Sequence, residues 1–296
     1  MKVDDQCCWF NINLTDGLGP AAAQKVARYL DNRQLTVTAL LEFDAAQFSD
    51  EVGLSASVSQ ALAERLGDPV SPPHAAEATL ITPSDERFPT RRLIEANPPF
   101  APVLWAQAQL SLLSFEGPTI AVAGSRETSE EIIGLVYELA KSASRQGWMT
   151  VSGLAQGVDS AAHQGAITGG TGTIGVLASG ISNRSRSWAP DETDEICLIS
   201  QFMPSEPWSG PRAMQRNATI AGLSDRVVVA AAGTSGGSWE MAQLCLKRNK
   251  PLFVLDLPPA EAAGNQRLIK AGGMALSINE LDACLAPLDG PLTLFH

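Results

Sequence analysis

The segment Val151-Ser152-Gly153-Leu154-Ala155-Gln156-Gly157-Val158-Asp159-Ser160-Ala161-Ala162-His163 constrains the fold more than any other part of the chain. An apolar run over residues 148–151 breaks at Gly153 and Gly157 and resumes as a helix-compatible stretch, which reads as a strand, a tight loop and a helix start. Glycine lets the backbone turn with positive φ and approach a ligand closely. The first turn of the following helix offers unpaired N–H groups and a partial positive charge, so anions bind well there. A similar unit lies upstream, where Thr119-Ile120-Ala121-Val122-Ala123 runs into Gly124-Ser125-Arg126 and then a helical stretch. Side by side, the two turns would form one rim for a polyanion.

The alternation continues downstream. Strands are expected at 119–123, 148–152, 173–178, 196–202, 227–231 and 252–255, with helical stretches between most of them. The helix over 132–143 follows the start signal Thr128-Ser129-Glu130-Glu131 and ends before Gly147, with acidic residues in the first turn as the helix dipole favours. Nearly all-apolar strands alternating with helices imply an α/β fold whose parallel sheet is covered on both faces. Ligands of such sheets bind at the carboxyl ends of the strands.

Residues 1–68 form a compositional unit of their own. Pro20 suits a first helical turn, and Ala23, Val26, Ala27 and Leu30 then fall on one helical face. Segments 37–43 and 55–66, the latter with Val58, Leu62 and Leu66 in register, complete a small all-helical domain. Its Gly17-Leu18-Gly19 turn is similar to a helix-hairpin-helix, which binds phosphate through backbone N–H groups; a packing or oligomerisation domain is the other reading, favoured by Asp16, which repels phosphate. Residues 69–77, with Pro69, Pro72 and Pro73, read as a linker. The α/β domain spans 78–286 and a tail spans 287–296.

Charge and composition narrow the function classes. The net charge of -11 opposes non-specific coating of DNA or membrane, so any nucleic-acid site must rest on a local cluster of arginines. No apolar run approaches the ~20 residues that span a bilayer, and Asp4 and Asp5 stand where a signal peptide carries positive charge. A cytoplasmic protein without membrane contact is expected. The five cysteines are scattered and without metal-ligand spacing, which points to reduced, buried small hydrophobes and to no metal or cofactor.

Single residues leave alternatives open. Gly124, Gly153, Gly157 and Gly180 serve either a ligand or simply tight strand-to-helix turns. Asp159 and His163 lie four apart on one helical face, either as an acid–base pair or, the favoured reading, as supports of the loop and helix start. Arg126 either pairs with Glu127 or Glu130 or faces an anionic ligand, which an arginine in a Gly-Ser-Arg turn suits better.

Taken in order, these elements resemble the DNA-processing protein A (DprA/Smf) family. The resemblance rests on Val122-Ala123-Gly124-Ser125-Arg126, Ser152 to Asp159 with Ala162-His163, Gly175-Val176-Leu177 and Gly180, Arg216-Asn217 with Ile220-Ala221-Gly222-Leu223-Ser224, Ser235-Gly236, and Gly264-Asn265 with Leu268-Ile269 and Gly272. Upstream, Leu80-Ile81-Thr82-Pro83-Ser84-Asp85, Phe88-Pro89 and Pro98-Pro99 also fit. The resemblance implies an extended Rossmann-like, mostly parallel sheet that binds single-stranded DNA without acting as an enzyme. It further implies a homodimer that protects strands in natural transformation or recombination and hands them to a RecA-type recombinase. On this reading Gly124, Ser125, Arg126, Ser152, Gly153, Gly157, Asn217, Ser235, Gly236 and Asn265 are phosphate-binding positions, and Arg212 and Arg216 extend the track.

The chain also departs from the family pattern. Ile181 to Trp188 stands where the family has a Tyr-Pro pair, with Arg184 and Arg186 expected to replace a lost basic contact and Trp188 to stack on a base. Ala230-Ala231-Ala232 replaces an acidic residue after a core strand, and Asp256-Leu257-Pro258-Pro259 replaces a Pro-Gly turn. A winged-helix domain, carried by many members, is expected to be absent. The dimer surface is expected near 227–232 and the Leu244-Cys245-Leu246 helix. Gly233 to Glu240 partly resembles the motif of related nucleotide phosphoribohydrolases, in which a carboxylate, here Glu240, assists glycosidic cleavage. That gives the alternative of a nucleotide-binding or nucleotide-hydrolysing protein of defence or signalling.

Overall fold

The computed structural model describes residues 3–75, 78–90, 92–93, 102–183 and 195–287. Four α-helices and a 3₁₀ turn open the chain. Helix α1 (Asp5–Leu14) is capped by Asp4, whose Oδ1 accepts from Cys7 N at 2.9 Å, as short acidic side chains do at this position. It carries no helical periodicity because residues 7–12 are buried on every side. Helix α2 (Pro20–Arg33) follows the Gly17-Leu18-Gly19 turn with Pro20 in its first turn, and α3 (Ala45–Asp50) is closed by an Asp44–Gln47 capping box. Helix α4 (Ala56–Gly67) completes the layer.

The stretch expected as a linker is pinned at its start. The fully buried Asn11 side chain donates to Val70 O at 2.9 Å and accepts from Val70 N at 3.0 Å. Trp9 Nε1 donates to Ser84 Oγ at 3.0 Å and Gln6 Nε2 to Leu80 O at 2.9 Å, so α1 sits against strand β1 (Thr79–Ile81) and one apolar core runs through both parts of the chain.

Beyond it, β2 (Leu104–Ala108), β3 (Thr119–Ala123), α5 (Glu130–Arg145), β4 (Met149–Ser152), α6 (Val158–Gly169), β5 (Thr173–Val176) and β6 (Ile196–Ser200) follow in order. Then come α7 (Gly210–Leu223), β7 (Arg226–Val229), α8 (Gly237–Lys247), β8 (Leu252–Leu255), α9 (Asn265–Lys270) and β9 (Met274–Leu276). Among the described residues the strands form one nine-stranded sheet of order β1-β2-β6-β5-β4-β3-β7-β8-β9. The β1–β2 and β2–β6 pairs are antiparallel, a detail that apolar runs do not encode; all other pairs are parallel. The expected Rossmann-like α/β architecture, with a helical N-terminal region, is what the chain adopts.

Side chains alternate across the pleat and split the core in two. Ala121, Ala123, Val227 and Val229 pack with Ile220 of α7 and Met241 of α8. Ile120, Val122 and Val228 face α5 and α6, through Ile132, Val136, Ala161 and Ala162. β3 lies between β4 and β7, so the chain leaves it in one direction through α5 and returns to its other side through α7. A doubly wound sheet opens a crevice at the carboxyl ends of the strands where the order reverses, here between β3 and β7. Among the described residues no helix is long and apolar enough to cross a membrane, and all five cysteines are buried.

Candidate functional site

A cleft of about 370 Å³ occupies that crevice, lined among others by Gly124, Arg126, Gly153, Trp208, Arg216 and Ser235. These residues come from five separate stretches of sequence, which the sheet brings to one edge. The two glycine turns lie side by side, as their similar surroundings suggest. Val158 N donates to Ser125 O at 3.4 Å. Gly157 has φ 78, and a Cβ there would lie 2.5 Å from Arg126 O; the left-handed conformation and the close approach both require glycine. Helix α6 therefore begins at Gly157 with no side-chain cap, and α8 begins at Gly236, φ 95, likewise uncapped. Both helices leave first-turn N–H groups without a side-chain acceptor at the crevice.

Gly153 is required for space. A Cβ there would fall on Nη1 of Arg216 and on Oδ2 of Asp159. Arg216 is buried, its Nη1 donates to Val176 O at 2.6 Å, and its Nε is buried with no hydrogen-bond partner. Burial draws the guanidinium pKa down, opposed by the negative charge of Asp159 across Gly153. Burial pushes the Asp159 carboxyl up, opposed first by Arg216 and then by the Ala155 N–H, which donates to Oδ2 at 3.3 Å. Both charged groups thus border the space that a Cβ on Gly153 would fill.

His163 is fully buried beneath the same loop. Its Nε2 lies 2.6 Å from Gly153 O and its Nδ1 2.8 Å from Thr173 Oγ1. A carbonyl only accepts, so Nε2 carries the proton and donates to Gly153 O. Burial holds its pKa down to about 4. Asp159 and His163 therefore both hold the loop backbone.

Arg126 differs from Arg216 in being exposed. Among the described residues no ion pair joins it to an acidic side chain; its guanidinium instead lies 5.6 Å from the ring centroid of Trp208. Ser125 and Ser152 are engaged with backbone: Ser125 Oγ donates to Glu127 O at 2.7 Å and Ser152 Oγ to Val122 O at 2.6 Å. Asn217 Nδ2 donates to Gly237 O at 3.1 Å and ties α7 to the start of α8. Ser235 is exposed at the cleft.

Other expected contacts lie elsewhere. Arg212 does not line the cleft; its Nε donates to Glu206 Oε2 at 2.6 Å and its Nη1 to Pro207 O at 3.1 Å. Asn265 is fully buried, accepting from Ala232 N at 2.9 Å and donating to Ala230 O and Leu255 O at 2.9 and 2.8 Å, which fixes the exit of β7 and presents no polar atom to the cleft. Glu240 is exposed on a neighbouring groove between α7 and α8 with Leu244 and Lys247. Arg184, Arg186 and Trp188 lie outside the described residues. Trp208 was not expected; the available signal was an aromatic in the polar, proline-bounded stretch Ser205-Glu206-Pro207-Trp208-Ser209, with no apolar periodicity to draw it into a core. No group of His, Cys, Asp and Glu among the described residues could hold a metal ion.

With this geometry in view, comparison with known proteins is decisive for the family. A family model described as DNA recombination-mediator protein A matches residues 79–288. The chain belongs to that family. It is 31% identical to the DNA processing protein DprA of Bacillus subtilis over 183 residues, 59% of this chain and 60% of that protein. It is 29% identical to the Smf protein of Escherichia coli over 208 residues, 67% of this chain and 54% of that protein. These matches therefore span little more than half the relatives' own length. Among solved structures, DNA processing protein A of Streptococcus pneumoniae superposes with a TM-score of 0.74 at 23% identity, covering 98% of this chain and 100% of that one. That of Helicobacter pylori, solved for its single-stranded DNA binding mode, gives 0.59 at 22% identity over 70% of this chain and 93% of that one. Both establish that the fold is shared.

Proposed function

We propose that the cleft binds single-stranded DNA through its phosphates and that the protein is a recombination mediator without catalysis of its own. The observation that carries this reading is Arg126, an exposed cation without an acidic partner among the described residues, on the rim made by the Gly124–Arg126 and Gly153–Gly157 turns. An arginine beside uncapped helix N-termini is a strong anion seat, and backbone donors recognise phosphate without reading sequence. A cleft of about 370 Å³ falls in the size range of small-ligand sites. The family, and the strand-binding mode for which the H. pylori relative was solved, support the same ligand. Glu240 lines a neighbouring groove and not this cleft, so nucleotide hydrolysis has less support.

A cytoplasmic setting, a homodimer and delivery of the strand to a RecA-type recombinase in transformation or recombination belong to the proposal through family membership. A gel-shift titration with single-stranded oligonucleotides tests its core. Binding is expected to weaken with salt, and Arg126→Ala is expected to lower affinity about tenfold on every sequence and to reduce the salt slope by about one ion. No binding at low salt would sink the proposal.

A further inference from the structure

Trp208 is 56% exposed, whereas Trp9, Trp105 and Trp148 are buried. An indole left in water forfeits a large apolar contact, and this one stands where two clefts meet. The second cleft, of about 360 Å³, is lined by Leu154, Gln156, Leu177, Ser179 and Asn183, and it shares Arg126, Ala155, Trp208 and Arg216 with the first. Trp208 and Arg126 therefore border both of two adjoining compartments. The exposed ring does not sit on a loose loop. Gly180 N donates to Glu206 O at 2.8 Å, and Glu206 N to Met203 O at 2.9 Å. Arg212 clamps Glu206 and Pro207, and Ser209 Oγ accepts from Arg212 N at 3.3 Å to start α7. Both flanks of Trp208 are fixed, so its ring is presented at little cost in conformational entropy.

We propose that Trp208 is a base-stacking platform, on which one base of a single strand lies while Arg126 and the glycine turns hold an adjacent phosphate. The inference rests on the phosphate-binding reading above and adds a base subsite to it. A flat aromatic surface beside an arginine suits any base, because every base has a π-face. Arg126, 5.6 Å from the ring centroid, serves both the ring and the phosphate. On this reading Arg212, which does not reach the cleft, acts on the ligand through the loop it clamps.

Fluorescence anisotropy with labelled oligo(dT) and with an abasic strand of equal length separates the two layers. The wild-type chain is expected to prefer oligo(dT). Trp208→Ala is expected to lower oligo(dT) affinity about tenfold, leave the abasic strand unchanged and so erase the preference, with Trp208→Phe retaining most of it. Arg126→Ala is expected to weaken both strands alike. If wild type binds the two strands equally, or Trp208→Ala weakens both equally or neither, the stacking role is overturned and phosphate binding stands. If Trp208→Ala keeps the preference but dissociates an oligomer, the ring is a protein contact and the proposal fails. If wild type binds neither strand, both readings fall together.

Discussion

Gly153→Ala is expected to lower the unfolding free energy by about 3 kcal/mol and to abolish strand binding in the protein that remains folded. The added methyl would fall on Arg216 Nη1 and Asp159 Oδ2, two atoms that cannot swing away freely. Nη1 is held by Val176 O at 2.6 Å, Oδ2 receives the Ala155 N–H, and both side chains are buried. Displacing either leaves a buried charge without its compensation, which costs about 3–5 kcal/mol when a buried pair is broken outright and less if the loop relaxes. The same displacement moves the Gly153–Gly157 loop, whose backbone donors are the proposed phosphate seat. Gly134→Ala is the control: it lies in the exposed face of α5 with open space around its Cα, and alanine there is expected to stabilise by roughly 0.5–1 kcal/mol. Urea denaturation of both variants, followed by the oligonucleotide titration, checks the pair. Wild-type stability in Gly153→Ala would mean that the glycine is not kept for the Arg216 and Asp159 side chains.

Much of this arrangement was legible in the sequence because short apolar runs bounded by glycine encode buried parallel strands directly. The β3 and β4 exits, the two turns and the α6 start all follow from local pattern. Helix α1 escaped because residues 7–12 are buried on all sides and so show no period, and α3 because it is only six residues long. The antiparallel edge of β1 and β2 escaped for a different reason: strand direction depends on the path of the chain, which residue type does not record. The same limit separates the arginines. Arg212 and Arg216 lie four apart on α7, yet one turns outward to Glu206 and the other inward to Val176 O, a difference set by β5 and by the loop before α7. The family resemblance implies Asn265 as a ligand contact, but its partners are carbonyls and an N–H at the ends of β7 and β8. For Trp208 the polar, proline-bounded stretch around it is the one local signal; its position follows from hydrogen bonds that Gly180 and Arg212 make to its loop.

The chain is expected to lose about 2 kcal/mol of stability between about pH 7 and about pH 5 through His163. Its buried imidazole has a pKa lowered from the ordinary 6.5 to about 4, so the unfolded chain takes up a proton near 6.5 that the native chain refuses until about 4. The unfolded state therefore binds more protons throughout that window. The stabilisation is complete above the ordinary value and is lost as pH falls, the loss reaching about 3 kcal/mol near the native pKa. Asp159 acts in the opposite sense: burial raises its carboxyl, so just above 3.8 the native state is the one that holds the extra proton and regains some stability. A His163→Gln variant retains an N–H that can donate to Gly153 O but has no titrating ring. Its urea-unfolding free energy is expected to stay level across the interval in which wild type declines, and an equal decline in both proteins would assign the slope to other groups. Because His163 titrates well below neutrality, strand binding between about pH 6 and pH 8 is expected to carry no trace of it.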